Sequence, residues 1–201
     1  MTFGAYLLFM QVEYFGKAGI AWHGAMFVQR LLPDGDGEID ADEYTLSYFD
    51  DISEDKTEDG FAVLSCLQAD LHTFKESNPD IHEIFLASDG AGCYSGKFLA
   101  LVLPLLSEWS GILIREHSIG EAGMNKSSLD GHFGVAGPHV KRVVASGQQD
   151  ATTAVRTAAA ALCDGGVSGT VCRVIATDRR RQAKYKSSTL NKVPAGEACE
   201  L

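Results

Sequence analysis

Asp89 closes the apolar run Ile84-Phe85-Leu86-Ala87-Ser88 and is followed by Gly90-Ala91-Gly92. That order puts a carboxylate on a strand tip beside a turn of small residues. A carboxylate held there suits Mg²⁺ or Mn²⁺, hard cations that prefer oxygen. It also suits an aspartate that accepts hydrogen bonds from its own turn. Asp130 is the second candidate ligand. It lies four residues after Lys126, so the two share one face of a helix, either as a solvated pair or with Asp130 turned to a metal. Glu121, in the loop before that helix, competes for the same role. His23 and His132 fit structural positions better than ligand positions. Asp50 and Asp51 end the third strand-like run and read as a turn or helix-entry pair, with Asp50 able to approach a cleft.

A second metal pattern lies in residues 34–43, Asp34-Gly35-Asp36-Gly37-Glu38-Ile39-Asp40-Ala41-Asp42-Glu43. It matches the last ten positions of an EF-hand loop, with Gly37, Ile39 and Glu43 in the sixth, eighth and twelfth places. The first ligand place falls on Leu32, the preceding segment reads as a strand, and Pro33 breaks an entering helix. Calcium is therefore disfavoured, and an acidic hairpin connection is expected.

The elements that must position these residues follow from periodicity. Strands are expected at 3–9, 19–31, 44–49, 81–88, 112–117 and 170–176. Phe61, Leu64, Leu67, Leu71 and Phe74 recur at helical spacing after Thr57, the expected N-cap, and Asn78-Pro79 stops that helix. Residues 96–109 form an apolar helix with Gly111 at its C-terminal cap. A helix at 126–146 is kinked by Pro138, and Asp150 caps an Ala-rich helix. Three antiparallel strands followed by helix–strand alternation make a mixed α/β sheet.

The chain has 201 residues, 45% of them apolar, and a net charge of −10. The length suits one globular domain. The acidic balance excludes a simple nucleic-acid binder. Base is concentrated at the end, in Arg179, Arg180, Arg181, Lys184, Lys186 and Lys192. The expected division is a domain over 1–178 and a basic tail over 179–201, either solvated and disordered or touching phosphate. Cys66, Cys93, Cys163, Cys172 and Cys199 include no C-x-x-C pair, so zinc is unsupported. Their odd number suits a reducing, intracellular compartment, not secretion. The apolar run 2–10 is too short to span a bilayer.

Three blocks resemble a family of eukaryotic DDE-type transposases with an RNase H-like catalytic domain. Ser88-Asp89-Gly90-Ala91-Gly92-Cys93-Tyr94 is similar to the family's Ser-Asp-Asn-Ala-Gly-Cys-Tyr. Phe15-Gly16-Lys17-Ala18-Gly19-Ile20-Ala21-Trp22-His23 resembles Phe-Gly-Lys-Arg-Gly-Ile-Ser-Trp-His. Gly123 to Phe133 resembles Gly-x-Gly-Lys-x-x-x-Asp-x-x-Phe. Order and spacing agree over about residues 11–178. The resemblance implies an RNase H-like mixed five-stranded sheet in the order 3-2-1-4-5, with helices on both faces. It implies a nuclear protein that cleaves or transfers DNA strands with Mg²⁺ (or Mn²⁺). Asp89 and Asp130 are then the second and third metal-binding acids, converging on one cleft. The family's first acid, on strand one, has no counterpart. Residues 1–9 hold no carboxylate, and Glu13 is the nearest. Either the chain begins inside the domain or the acidic set is incomplete. The implied activity is accordingly impaired; the alternative is a catalytically silent binding or scaffold module, or a transposon remnant.

Overall fold

The computed structural model describes residues 4–15, 20–30, 44–57, 59–121, 128–145, 151–165, 169–177 and 179. The sheet begins with β1 (Gly4–Phe15), β2 (Ile20–Arg30) and β3 (Tyr44–Ser53), each antiparallel to the one before. Helix α1 (Gly60–Ser77) leads to β4 (Glu83–Ser88), which returns parallel to β1. A short helix α2 (Gly92–Ser95) and α3 (Lys97–Ser110) lead to β5 (Leu113–Ile119), parallel to β4. Helices α4 (Ser128–Ala145) and α5 (Ala151–Gly165) precede β6 (Thr170–Val174).

The sheet order is β5-β4-β1-β2-β3-β6. The five expected strands take the expected order. The expected five-stranded sheet is corrected to six strands, because the strand expected at 170–176, β6, joins it in parallel with β3. The mixed sheet is compatible with an RNase H-like arrangement.

Side chains alternate across each strand, so two cores form. On one face Phe27, Phe49, Ile84 and Leu86 meet Leu67, Leu71 and Phe74 of α1 and Leu99 and Leu103 of α3. On the other, Trp22, Met26 and Ile52 meet Leu129, Phe133 and Val140 of α4 and Val155, Ala158 and Leu162 of α5. Helices therefore cover both faces, as expected. None among the described residues is long and apolar enough to cross a membrane.

Several boundaries move for local reasons. The N-cap of α1 is Asp59, not Thr57; its Oδ1 accepts from the Phe61 and Ala62 N–H groups at 3.1 and 3.0 Å. A carboxylate also suits the positive end of the helix dipole. Strand β4 starts at Glu83, and Ile81 before it is buried in the core. Helix α3 ends at Gly111 with φ +67, the left-handed conformation expected of a C-terminal glycine. Helix α4 continues through Pro138. The acidic run 34–43, Lys126 and the capping residue Asp150 lie outside the described residues. So does the basic tail, apart from Arg179. That residue belongs to the domain, because its guanidinium bonds Asp55, both carboxylate oxygens of Asp59, and the Thr57 carbonyl.

Gly24 sets how closely α4 approaches the sheet. A Cβ there would lie 2.2 Å from Phe133 Cζ. Phe133 cannot swing aside easily, because it is buried and packs edge-on against Trp22 at 5.0 Å between centroids. Gly24→Ala is expected to cost about 1–3 kcal/mol by overpacking. Urea unfolding would measure this, and combining it with Phe133→Leu should restore part of the loss.

Candidate functional site

The turn after β4 is built around Asp89. The strand end is held by Ser88 Oγ, 2.9 Å from His117 Nε2 on β5, and by the Gly120 N–H donating to the Ser88 carbonyl at 2.8 Å. Asp89 itself is half-buried, and its Oδ1 accepts from the Ala91 N–H at 3.0 Å. The carboxylate therefore caps its own turn. This starts α2 and carries Tyr94 into the core, where its hydroxyl lies 3.3 Å from His23 Nδ1.

Strand register places the other acids relative to Asp89. Phe9 is opposite Ser88, so one step further along both strands puts Met10 level with Asp89. Met10 is opposite Gly24, Gly24 opposite Asp50, and Asp50 opposite Cys172. The strand-one position beside Asp89 is thus a methionine. Glu13 lies three residues further along, about 10 Å away at strand rise. Asp50 is three strand spacings from β4, about 14 Å. Asp50 is also committed elsewhere, to Trp22 and His132.

Asp130 lies half-buried in the first turn of α4. Glu121 is exposed, just past the end of β5. Among the described residues no three His, Cys, Asp or Glu side chains are grouped closely enough to hold an ion. A groove of about 460 Å³ lined by Phe61, Gln68, His72, Trp109 and Ile175 includes neither Asp89 nor Asp130. Among the described residues, then, Asp89 and Asp130 are not assembled with further ligands into a two-metal centre. No reaction step is routed through one.

Asp50 and Asp51 are not a turn or helix-entry pair. They sit inside β3, fully buried and on opposite faces. Asp50 faces α4. Its Oδ1 accepts from Trp22 Nε1 at 2.8 Å and its Oδ2 from His132 Nε2 at 2.8 Å. A carboxylate beside a histidine could serve as a general base, but both side chains are sealed from solvent. His132 instead stacks flat on Tyr48, with 4.4 Å between centroids. The pair is structural, as expected for His132.

Asp51 faces α1. Arg173 of β6 donates to Asp51 Oδ1 through Nε at 2.9 Å, and its Nη2 lies 2.7 Å from the same oxygen. Its Nη2 also donates to Asp70 Oδ1, and its Nη1 to the Ala69 carbonyl and Thr73 Oγ1, both at 2.8 Å. Sequence reasoning missed this cluster. One signal was available: Asp70 sits within the apolar stripe Leu67, Leu71, Phe74 of α1, where a carboxylate requires a buried partner. His23, on the same face, is held down to about 4 by burial, aided by the charge of Arg173.

The three sequence blocks converge. Trp22 and Gly24 of the first touch Phe133 of the third, and His23 of the first meets Tyr94 of the second. No protein-family model matches the chain, and no curated protein matches it. Among solved structures it is similar to the human cytomegalovirus terminase nuclease domain, soaked with Mn. That match has 12% identity, covers 81% of this chain and 84% of that one, and has a TM-score of 0.30. A likeness that slight adds nothing to the argument from geometry.

Asp50→Ala would leave two buried N–H donors, on Trp22 and His132, without their acceptor. The expected loss is about 2–6 kcal/mol of unfolding free energy, at about 1–3 kcal/mol per orphaned group. Urea denaturation followed by Trp fluorescence measures it. A loss below about 1 kcal/mol would show that α4 is held without Asp50.

Proposed function

We propose that this chain is a transposase-type RNase H-like module whose framework persists while its strand cleavage chemistry is silent. The observation that carries this reading is Met10, level with Asp89 in a sheet whose three family-like blocks still pack together. Two-metal phosphoryl transfer needs ions held at fixed separation, so that attacking and leaving oxygens are both stabilised. Asp89 and Asp130 are the family-type second and third acids in this reading. Without a first acid they leave at most weak, single-ion binding of Mg²⁺ or Mn²⁺, with water filling most of the coordination shell. A nuclear location, and contact with DNA through the basic tail beyond Arg179, belong to the same proposal. What remains to such a module is binding or scaffolding.

The test is cleavage of single- and double-stranded DNA with Mg²⁺ or Mn²⁺, comparing the unaltered chain with Asp89→Ala and Met10→Asp. The unaltered chain and Asp89→Ala should both be inactive. Met10→Asp, which returns a carboxylate to the position level with Asp89, should tighten Mn²⁺ binding in calorimetry by about tenfold, the 1.4 kcal/mol scale of one added favourable contact. Robust cleavage by the unaltered chain, abolished by Asp89→Ala, would overturn the reading and mean that another acid, such as Glu121, completes the set.

A further inference from the structure

We propose that Asp51 and Asp70 form a buried proton-binding site, holding one proton between them when the protein is folded at neutral pH. The two carboxylates come from different layers, Asp51 from β3 and Asp70 from α1, and both are almost wholly removed from water. Arg173 Nη2 donates to Asp70 Oδ1 and lies at ion-pair distance from Asp51 Oδ1, so the two carboxyl groups meet at a single nitrogen. One guanidinium thus answers two carboxylates. Among the described residues, Asp70 Oδ2 is buried with no hydrogen-bond partner, and beyond Arg173 Asp51 has only the weak thiol donor of Cys66. An ionised carboxylate offers only acceptors. A proton on one oxygen removes the uncompensated charge.

The other groups around the pair do not supply the missing positive charge. From β2, His23 stays neutral until about pH 4. From α1, Cys66 is a buried thiol held far above its ordinary range, by burial first and then by Asp51 and Asp70. Asp50, next along β3, is turned to the opposite face and adds negative charge. Asp55 lines a cavity of about 20 Å³ together with His23, Asp51, Ser53 and Cys66, and bonds Arg179 instead. That cavity has room for one water, which could carry the proton to or from Asp51. Burial raises both acids against the opposing pull of Arg173; the charge of Asp50 adds to the rise at Asp51, which goes to about 6, and the charge of Asp51 adds to the rise at Asp70, which goes well above its ordinary value. Two acids coupled this closely titrate as one unit.

An acid whose pKa is raised by folding stabilises the fold below its ordinary range. That stabilisation is lost as pH rises through the folded value. Here the loss begins near pH 4, the ordinary aspartate value, and runs through about 6 for Asp51 and higher for Asp70. Depressed His23 acts in the opposite direction below about 6.5, and Cys66 acts only near 9 and above. The clean window therefore opens above about pH 6.5. In it the folded-to-unfolded ratio should fall by up to about tenfold per pH unit for as long as the folded pair keeps its extra proton. Asp70→Asn should flatten that slope, leaving Arg173 and Asp51 as a balanced pair. Carbon NMR of chain labelled at the aspartate carboxyl carbons should show one buried carboxyl protonated at pH 7. If Asp70→Asn fails to fold, the labelled unaltered chain decides alone. Carboxyl carbons all at their ionised positions at pH 7, or a slope unchanged in Asp70→Asn, would overturn the site.

Discussion

Adjacent residues of a strand point to opposite faces, and β3 places two aspartates side by side. Asp50 must therefore be satisfied by one helical layer and Asp51 by the other. A buried carboxylate without partners costs far more than any single contact in the core supplies. Asp50 draws in Trp22 and His132, which fixes α4 on its side. Asp51 requires Arg173, which brings β6 onto the edge of β3 and reaches onward to α1. The sixth strand and the position of both helical layers thus depend on one dipeptide.

The converging blocks separate framework from chemistry. Trp22, His23 and Gly24 occupy three successive positions of β2, and their alternation sends the first and third toward Phe133 and the second toward Tyr94. Two layers pack on these residues. A metal-binding acid on β1 is not required by any of those contacts. A chain can therefore keep the packing pattern and lose the carboxylate.

Much of the fold was legible because its signals are local. Helical spacing in α1, the apolar run of α3 and the left-handed cap at Gly111 all announce themselves within a few residues. Asp50-Asp51 misled because two acids after an apolar run look like the end of a strand. The continuation through Ile52, buried on the α4–α5 side, was the overlooked clue. Pairing of β6 with β3 joins segments more than a hundred residues apart, and local pattern carries no information about it. The same holds for Arg173 and Asp70. Each looks surface-like alone, and only the tertiary contact makes either tolerable inside. Asp89 was legible as a strand-tip acid. Whether it ligates or caps depends on its neighbour across the sheet, which only register reveals.

That neighbour also decides the energetics. Carboxylates gathered for metals repel one another until ions arrive, and each raises the cost of ionising the next. Sites arranged for chemistry commonly reduce stability for this reason. Asp89 accepts from the Ala91 N–H and so holds its own turn. The buried acids that remain, Asp50, Asp51 and Asp70, each bond a histidine or an arginine. Charge in this protein is thus spent on joining layers, and the turn at Asp89 has become part of the same framework.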